Sequence, residues 1–509
     1  MRRILLPLLI SMIALPVLAE GRDQSYVTYQ EDGTVVVQND GRQISARVNM
    51  PVFPGDEIRT ARDGRAEVRL ADGNVIALDR STDLQLRSIL DSYDGASEQT
   101  VVQLVYGRIM VHRVDRDSSA LRLDTNSASY LSSRYGIYSV DTDGRGNDLV
   151  SVHAGSVEVR TPSGTTRLGE GEQVALDDSG IYRTRTLASV GISDFEQWYL
   201  RRAERYDRSA GKYLRGDLAY AESELDSYGN WVYVSDYSSW VWRPYVSVGW
   251  RPYYSGQWMY GLSGCLVWES WEPWGWVPYH YGRWAFTPMY GWVWLPGYEY
   301  SPAWVYWMYG PGYVGWIPSG WYDCYRPYYG WLYGTTVSVS RPSRFGVGFY
   351  GRVDVGNLDL NQWTFVNPDT LVSRRVDQVA LTTDAVRGRL HRDGASALVS
   401  NSPFRLSRNE LKDPTTAIDH IVRRGIGSGT GTEGSGSAPD VTSFIRRDPE
   451  LSSALRERIT RPMAEPRADG GVGPASTPER IRRPAGAAAT TSDPSVAVPK
   501  PAVDRGTER

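Results

Sequence analysis

Two carboxylates, Glu269 and Glu272, flank Trp271 in the most aromatic stretch of the chain, and paired acids beside sugar-stacking rings are the equipment of glycoside hydrolysis. Such a pair acts only when held across a cleft at a defined separation, which neighbouring positions in one short loop do not supply. The five histidines, His112, His153, His280, His391 and His420, include no second histidine at metal-ligand spacing. His280, between Tyr279 and Tyr281, reads as a packing or hydrogen-bonding residue. The run Asp141-Thr142-Asp143-Gly144-Arg145-Gly146-Asn147-Asp148 offers oxygens around a glycine bend, as a calcium loop does. It lacks the closing glutamate and carries Arg145, so a hairpin turn accounts for it better. Gly429-Thr430-Gly431-Thr432-Glu433-Gly434 spells a dinucleotide fingerprint with no strand before it and no helix after it. The chain is therefore expected to be non-enzymatic, with no cofactor and no metal.

Cys265 and Cys324 are the two cysteines. In an oxidising compartment a disulfide between them is expected, closing a loop of about sixty residues, and two separately buried thiols are the alternative.

What the sequence does supply is tryptophan: seventeen of its nineteen lie between Trp231 and Trp331. Gly229-Asn230-Trp231, Gly256-Gln257-Trp258 and Gly282-Arg283-Trp284 share a Gly-x-Trp pattern, and Trp242, Trp268 and Trp294 recur 26 residues apart. Gly249-Trp250-Arg251-Pro252-Tyr253 returns as Gly275-Trp276-Val277-Pro278-Tyr279 at the same step. Phrases such as Trp240-Val241-Trp242, Trp274-Gly275-Trp276 and Trp292-Val293-Trp294 put aromatics at i and i+2, the spacing of one strand face. Repeated β-hairpins with tryptophans stacked across strands are expected.

With few aliphatic residues nearby, Trp242, Trp268, Trp276 and Trp294 are assigned to an aromatic core. Tyr253, Tyr254, Tyr279, Tyr281, Tyr298 and Tyr300 are then the surface candidates for stacking on sugar rings, with Arg243, Arg251 and Arg283 as hydrogen-bonding partners for hydroxyls or acidic groups.

At 509 residues the chain has room for two to four domains, and a net charge of −3 argues against a general nucleic-acid or membrane-surface binder. Arg2 and Arg3 precede the apolar run Ile4 to Leu15, and Val17-Leu18-Ala19 suits a signal-peptidase cut. That run falls short of the roughly 20 residues that span a bilayer. A periplasmic or secreted mature chain without a membrane insertion is expected.

Residues 20–185 read as a β domain of short alternating strands, such as Glu67-Val68-Arg69-Leu70 and Val75-Ile76-Ala77-Leu78, punctuated by Asp-Gly turns. Asn49-Met50-Pro51, Pro54-Gly55-Asp56, Arg65-Ala66-Glu67, Leu78-Asp79 with Thr82-Asp83-Leu84, Asp124-Thr125, and Gly155-Ser156-Val157-Glu158-Val159 followed by Gly169-Glu170-Gly171-Glu172-Gln173 together resemble a FecR-type periplasmic domain. That resemblance, over roughly residues 55 to 175, implies an extracytoplasmic β domain used for interaction. Members of the founding type sense a loaded outer-membrane transporter and signal to a sigma factor through a membrane helix, which this sequence lacks.

A helical linker is expected over 186–227, where Ser193-Asp194-Phe195-Glu196 forms a capping box and Phe195, Trp198, Tyr199 and Ala203 recur on one face to about Leu218. The Trp/Tyr-rich module occupies 228–335. Its phrases Glu272-Pro273-Trp274-Gly275-Trp276, Tyr279-His280-Tyr281-Gly282-Arg283-Trp284 and Gly291-Trp292-Val293-Trp294-Leu295-Pro296-Gly297 resemble a tryptophan-rich domain of unknown function that follows FecR-like domains in secreted proteobacterial proteins. Residues 336–425 are read as an extension of the module, with strands near Thr335 to Ser340, Phe345 to Val355 and Gln362 to Val366 and a helix near Ala417 to Arg424. Residues 426–509 are too poor in apolar side chains to offset ordering entropy and read as a disordered tail.

The expectation is a mainly β, extracytoplasmic binding protein that engages an envelope component, polysaccharide or protein. The alternative is a FecR-type envelope signalling regulator acting with a separate membrane partner.

Overall fold

A strand that is to bury both its ends in a two-layer β domain must bend from one layer to the other, and a glycine is the residue that permits it. The computed structural model describes residues 24–90, 99–114, 120–177, 179–207, 211–261, 266–310, 312–318, 337–339, 350–354, 360–372, 374–392, 396–400, 413 and 415–416. These fall within one unit, Met1–Gly431. The leader expected at 1–19, Cys265, Cys324, the helix expected at 417–424 and the tail expected at 426–509 lie outside the described residues.

Strands from Tyr26 to Thr186 form a single network of fifteen, folded into two layers that share two strands of 14 residues, Thr100–Arg113 and Asp148–Thr161. Thr100–Arg113 begins beside Asp83–Ser88 and, in parallel, Leu121–Asp124; it ends beside Val75–Leu78 and Gly136–Thr142. Asp148–Thr161 begins between Gly136–Thr142 and Glu172–Asp177 and ends between Ser129–Ser132 and Gly164–Gly169. Each changes layer at a left-handed glycine, Gly107 at φ 99° and Gly155 at φ 73°. A Cβ on Gly155 would lie 2.3 Å from the Tyr135 carbonyl oxygen, and one on Gly107 2.6 Å from the Thr82 Cα. The core between the layers includes Val36, Ile58, Leu84, Leu104, Val140 and Val152, all buried.

The capping box forms: the Ser193 hydroxyl accepts from the Glu196 N–H, and the Glu196 carboxylate accepts from the Ser193 N–H at 2.7 Å. The helix runs Asp194–Ala203 and lays Phe195, Tyr199 and Ala203 against Val75, Ala77, Met110 and Ile137 on the outer face of the sheet. It ends earlier than the periodicity to Leu218 suggests. Gly216, at φ 57°, falls in the interval, and helical structure resumes only at Gly216–Ala221 and Glu222–Tyr228.

The tryptophan repeat is a set of hairpins, each placing one tryptophan opposite another. The pairs are Trp231/Trp242, Trp258/Trp268, Trp284/Trp294 and, in a shorter fourth hairpin, Trp307/Trp316. In the first two hairpins the glycine two residues before the first tryptophan makes room for the partner's indole. A Cβ on Gly229 would sit 2.5 Å from the Trp242 ring, and one on Gly256 2.5 Å from the Trp268 ring. One expected strand is absent: Trp276–His280 is a single helical turn, because Asn49 from the β domain accepts from the Trp276 N–H at 3.2 Å. The fourth hairpin joins a six-stranded sheet with Val337–Val339, Tyr350–Asp354, Thr364–Val366 and Ser396–Ser400. Helices Val376–Val379 and Thr383–Arg392 accompany it, in a region where only strands were expected before Ala417.

Substituting Gly155→Ala, which combines a positive φ with a backbone clash, is expected to lower unfolding free energy by about 2–4 kcal/mol. Guanidinium unfolding followed by far-UV circular dichroism checks this; a cost below about 1 kcal/mol would mean the corner accepts a side chain.

Candidate functional site

Cross-strand partners share a face, so the sheet made by Gly229–Val234, Ser239–Pro244, Gly291–Tyr300 and Tyr281–Thr287 has one aromatic and one aliphatic side. Val232, Val241, Ala285, Val293 and Leu295 pack together on the aliphatic side. On the other, the row Trp242, Trp294 and Trp284 is fully buried. Trp242 donates its indole N–H to the Leu225 carbonyl at 2.9 Å and Trp294 to the Tyr281 carbonyl at 2.6 Å.

Toward the Ser235–Tyr237 turn this aromatic side emerges into solvent. Trp240 is 46 % exposed and meets Tyr233 edge-on at 5.8 Å. Tyr213 stacks on Trp231 at 4.5 Å and lies 5.3 Å from Trp240. Lys212 sits over the Tyr213 ring, and Asp226 accepts the Trp231 indole N–H at 3.0 Å. Tyr298, 54 % exposed, accepts from the Arg215 N–H at 3.3 Å, which fixes it near the same loop. These residues make a shelf of ring faces with mixed charges at its rim, suited to stacking on flat, C–H-rich surfaces.

The residues chosen from sequence distribute differently. Tyr253, Tyr279 and Tyr300 are corrected from surface to core. Tyr253 occupies a left-handed backbone position at φ 56°, donates to the Tyr279 carbonyl at 2.7 Å and accepts from the Trp304 N–H at 3.0 Å. Tyr279 packs against Tyr253 at 4.7 Å, and Tyr300 stacks on His280 at 5.5 Å. The physical reason for the first two is that the connectors between hairpins are threaded through the module, where the Tyr253 hydroxyl satisfies buried backbone and the Tyr279 hydroxyl meets Glu272; Tyr300, at the end of its strand, is covered by the His280 ring. Tyr254 and Tyr281 are half-buried, and Tyr298 alone of the six is strongly exposed. Arg251 donates to the Thr364 hydroxyl at 2.9 Å and covers Tyr254; Arg283 covers Trp304; Arg243 is exposed but on the face opposite Trp240. Trp242, Trp268, Trp276 and Trp294 are buried.

Tyr213, Tyr233 and Trp240 carry the shelf and were not singled out from sequence. The usable signal was distance from the paired tryptophans, since a ring near the hairpin turn lies beyond the row that the core covers.

The carboxylates are consumed by structure. Glu269 is fully buried, and Arg47 from the β domain holds both its oxygens, at 2.8 and 3.0 Å, while Gln257 donates to one of them. Glu272 takes the Trp250 indole N–H at 3.0 Å and the Ser270 hydroxyl, and burial pushes its carboxyl up. Beside this clamp Tyr26 stacks on Trp276 at 4.0 Å and 8°, and Asn49 donates to the Glu272 carbonyl at 2.7 Å. Glu67 repeats the pattern. Burial opposes its ionisation, but Arg205 and Arg202 outweigh burial and, with the Tyr206 hydroxyl, hold the carboxyl at about 2. A water-sized cavity of about 20 Å³ lies between the two regions, lined by Tyr26, Asn49, Arg205, Tyr220, Glu224 and Trp276 among others. His280 is buried with its Nδ1 3.0 Å from the Ser301 carbonyl oxygen, and burial lowers it to about 4. The Asp141 to Asp148 run is a hairpin turn closed by Asp143, which accepts from the Arg145 and Asn147 N–H groups at 2.7 and 3.1 Å. Among the described residues no cluster of three metal-ligating side chains occurs.

Residues 56–158 match the model of the family described as FecR protein, and residues 222–323 match that of a family of unknown function, DUF6600. The chain therefore carries a FecR-type region followed by a domain of that second family, in the order its residues indicate. No curated protein matches it. Two crystal structures of a candidate anti-sigma factor from Parabacteroides distasonis, at 2.50 and 1.65 Å resolution, resemble it at 16 % identity with TM-scores of 0.23 and 0.24. Each comparison covers 37 % of this chain and 99 % of the other, and a likeness so weak carries no functional weight.

Removing one partner of the clamp leaves a buried charge. Arg47→Ala is expected to cost about 3–5 kcal/mol by chemical denaturation, and replacing both Arg47 and Glu269 by Met is expected to recover most of that loss. A single-variant cost below about 1 kcal/mol would show that the clamp is dispensable.

His280 must be neutral to stay buried, and its folded value of about 4 lies below the unfolded 6.5. Its contribution is fully present above pH 6.5 and is lost as pH falls toward 4, by up to about 3 kcal/mol. Comparing thermal midpoints of the native chain and His280→Gln across that window tests this; parallel profiles would exclude His280 as the titrating group.

Proposed function

We propose that this chain is a non-enzymatic, extracytoplasmic FecR-type signalling protein that works with a separate membrane-bound partner. The FecR match over residues 56–158 supports the class. The observation that carries the mechanism is the clamp: Arg47 on Glu269 and Tyr26 on Trp276 lock the β domain to the aromatic module. A partner gripping one region is thereby presented with the other at a set place, as an adaptor requires. Among the described residues no helix is long and apolar enough to cross a membrane, so transmission to the cytoplasm is assigned to the partner. Deleting the gene should change a discrete set of sigma-dependent transcripts and restoring it should reverse them; an unaltered transcriptome would sink this reading.

A second reading, engagement of an envelope polysaccharide or protein, is favoured by the shelf of Tyr213, Trp231, Tyr233 and Trp240. The two are compatible, since the shelf can be the input surface of the regulator. Each stacked ring contributes about 1 kcal/mol, so Tyr233→Ala with Trp240→Ala is expected to weaken binding of purified envelope polysaccharide roughly 10- to 30-fold. Titration of tryptophan emission reads this out, and unchanged affinity in the double variant would remove the shelf from the binding surface.

A further inference from the structure

Exposed apolar side chains collect at the other end of the four-stranded aromatic sheet. Trp242 pairs with Trp294 in antiparallel register, and that register carried three residues on sets Tyr245 beside Gly291. The Tyr245 N–H donates to the Tyr228 carbonyl at 2.8 Å, and Gly291 pairs with Thr287. One end of the sheet thus bears Tyr228, the loop after Pro244 and the turn around Met289. Val248 is 106 % exposed, Met289 79 % and Tyr245 68 %, with Val246 and Phe286 exposed beside them. No charged residue occurs from Pro244 to Trp250 or from Trp284 to Tyr298. Asp226, two residues before Tyr228 and on the way to the shelf, has its carboxylate engaged by the Trp231 indole N–H. Arg243, two residues before Tyr245, is an exposed cation adjoining this end.

We infer that this end is a membrane-docking tip: the Tyr245–Val248 loop and the Met289 turn enter the headgroup and shallow acyl region of a phospholipid bilayer while Arg243 meets lipid phosphate. Its shape and charge select that partner. Val248 and Met289 stand out with most of their area free, so a rigid protein would need a matching hole for each, whereas a fluid acyl layer closes around both. The loops bring no charge into hydrocarbon, tyrosine suits the interface through its amphipathic ring, and arginine complements phosphate. Apolar loops of this kind attach a protein to a surface without spanning it. The inference does not depend on the signalling reading, because vesicle binding and sigma-dependent transcription are separate measurements.

The test is flotation of the chain from Glu20 onward, which removes the apolar Ile4 to Leu15 run, with vesicles of phosphatidylethanolamine and phosphatidylglycerol. The native chain should float, and Val248→Asp with Met289→Asp should lower the bound fraction about tenfold with an unchanged thermal midpoint. Doxyl-labelled lipid should quench tryptophan emission in the native chain more than in the double variant, through Trp292 near the tip. Arg243→Ala should weaken binding to anionic vesicles while sparing neutral ones. Absence of flotation by the native chain, or equal flotation by the double variant, overturns the inference. So does a concentration-dependent dimer that the double variant abolishes without any vesicle binding, which would make the tip a contact between copies of this chain.

Discussion

The missing Cβ at a few glycines is the constraint on which both halves of this chain depend. At Gly107 and Gly155 it lets two strands cross from layer to layer with backbone almost touching backbone. At Gly229 and Gly256 it opens the space into which a facing indole turns. Both are steric permissions of the same kind, and each organises far more surface than it occupies. The corners allow two 14-residue strands to serve both layers, and the clearances allow the first two hairpins to close on a tryptophan pair.

Charge follows a second rule, that a buried ion persists only with a full set of partners. Glu269 and Glu272 have the aromatic company that suggests chemistry in a linear sequence, yet they, like the buried Glu67, are spent on holding pieces together. Arg47 and Asn49 come from one region while Glu269 and Trp276 come from the other. The polar groups of the aromatic module are therefore satisfied partly from outside it.

Much of this was legible in the residues. The Asp-Gly punctuation announced a β domain, Ser193 and Glu196 announced a helix start, and the 26-residue step announced hairpins. The step could not reveal which aromatics face water, because a period fixes position along a repeat and not depth within a fold. Tyr253 and Tyr279 illustrate the loss: their spacing matched that of surface residues, but the Tyr253 hydroxyl bridges the Tyr279 carbonyl and the Trp304 N–H, and the Tyr279 hydroxyl turns inward to Glu272, contacts that only tertiary packing creates. Trp276 illustrates another, since its strand-like phrase becomes a helical turn through a contact with Asn49, 227 residues away. The shelf escaped notice because Tyr213 lies outside the repeat and is brought to it by the preceding loop.

The Asn49 contact also constrains the order of events as the chain folds. The turn at Trp276–His280 has no side-chain cap of its own, and the Glu269 charge has its arginine 222 residues upstream. Neither can be completed by local contacts, so the final packing of the aromatic module requires the β domain to be present. Because the β domain precedes it in the chain, N-to-C synthesis delivers the template first. A fragment cut to the repeat alone would emerge with its buried acid unpaired, and its tryptophans would be available to misassemble with those of other copies.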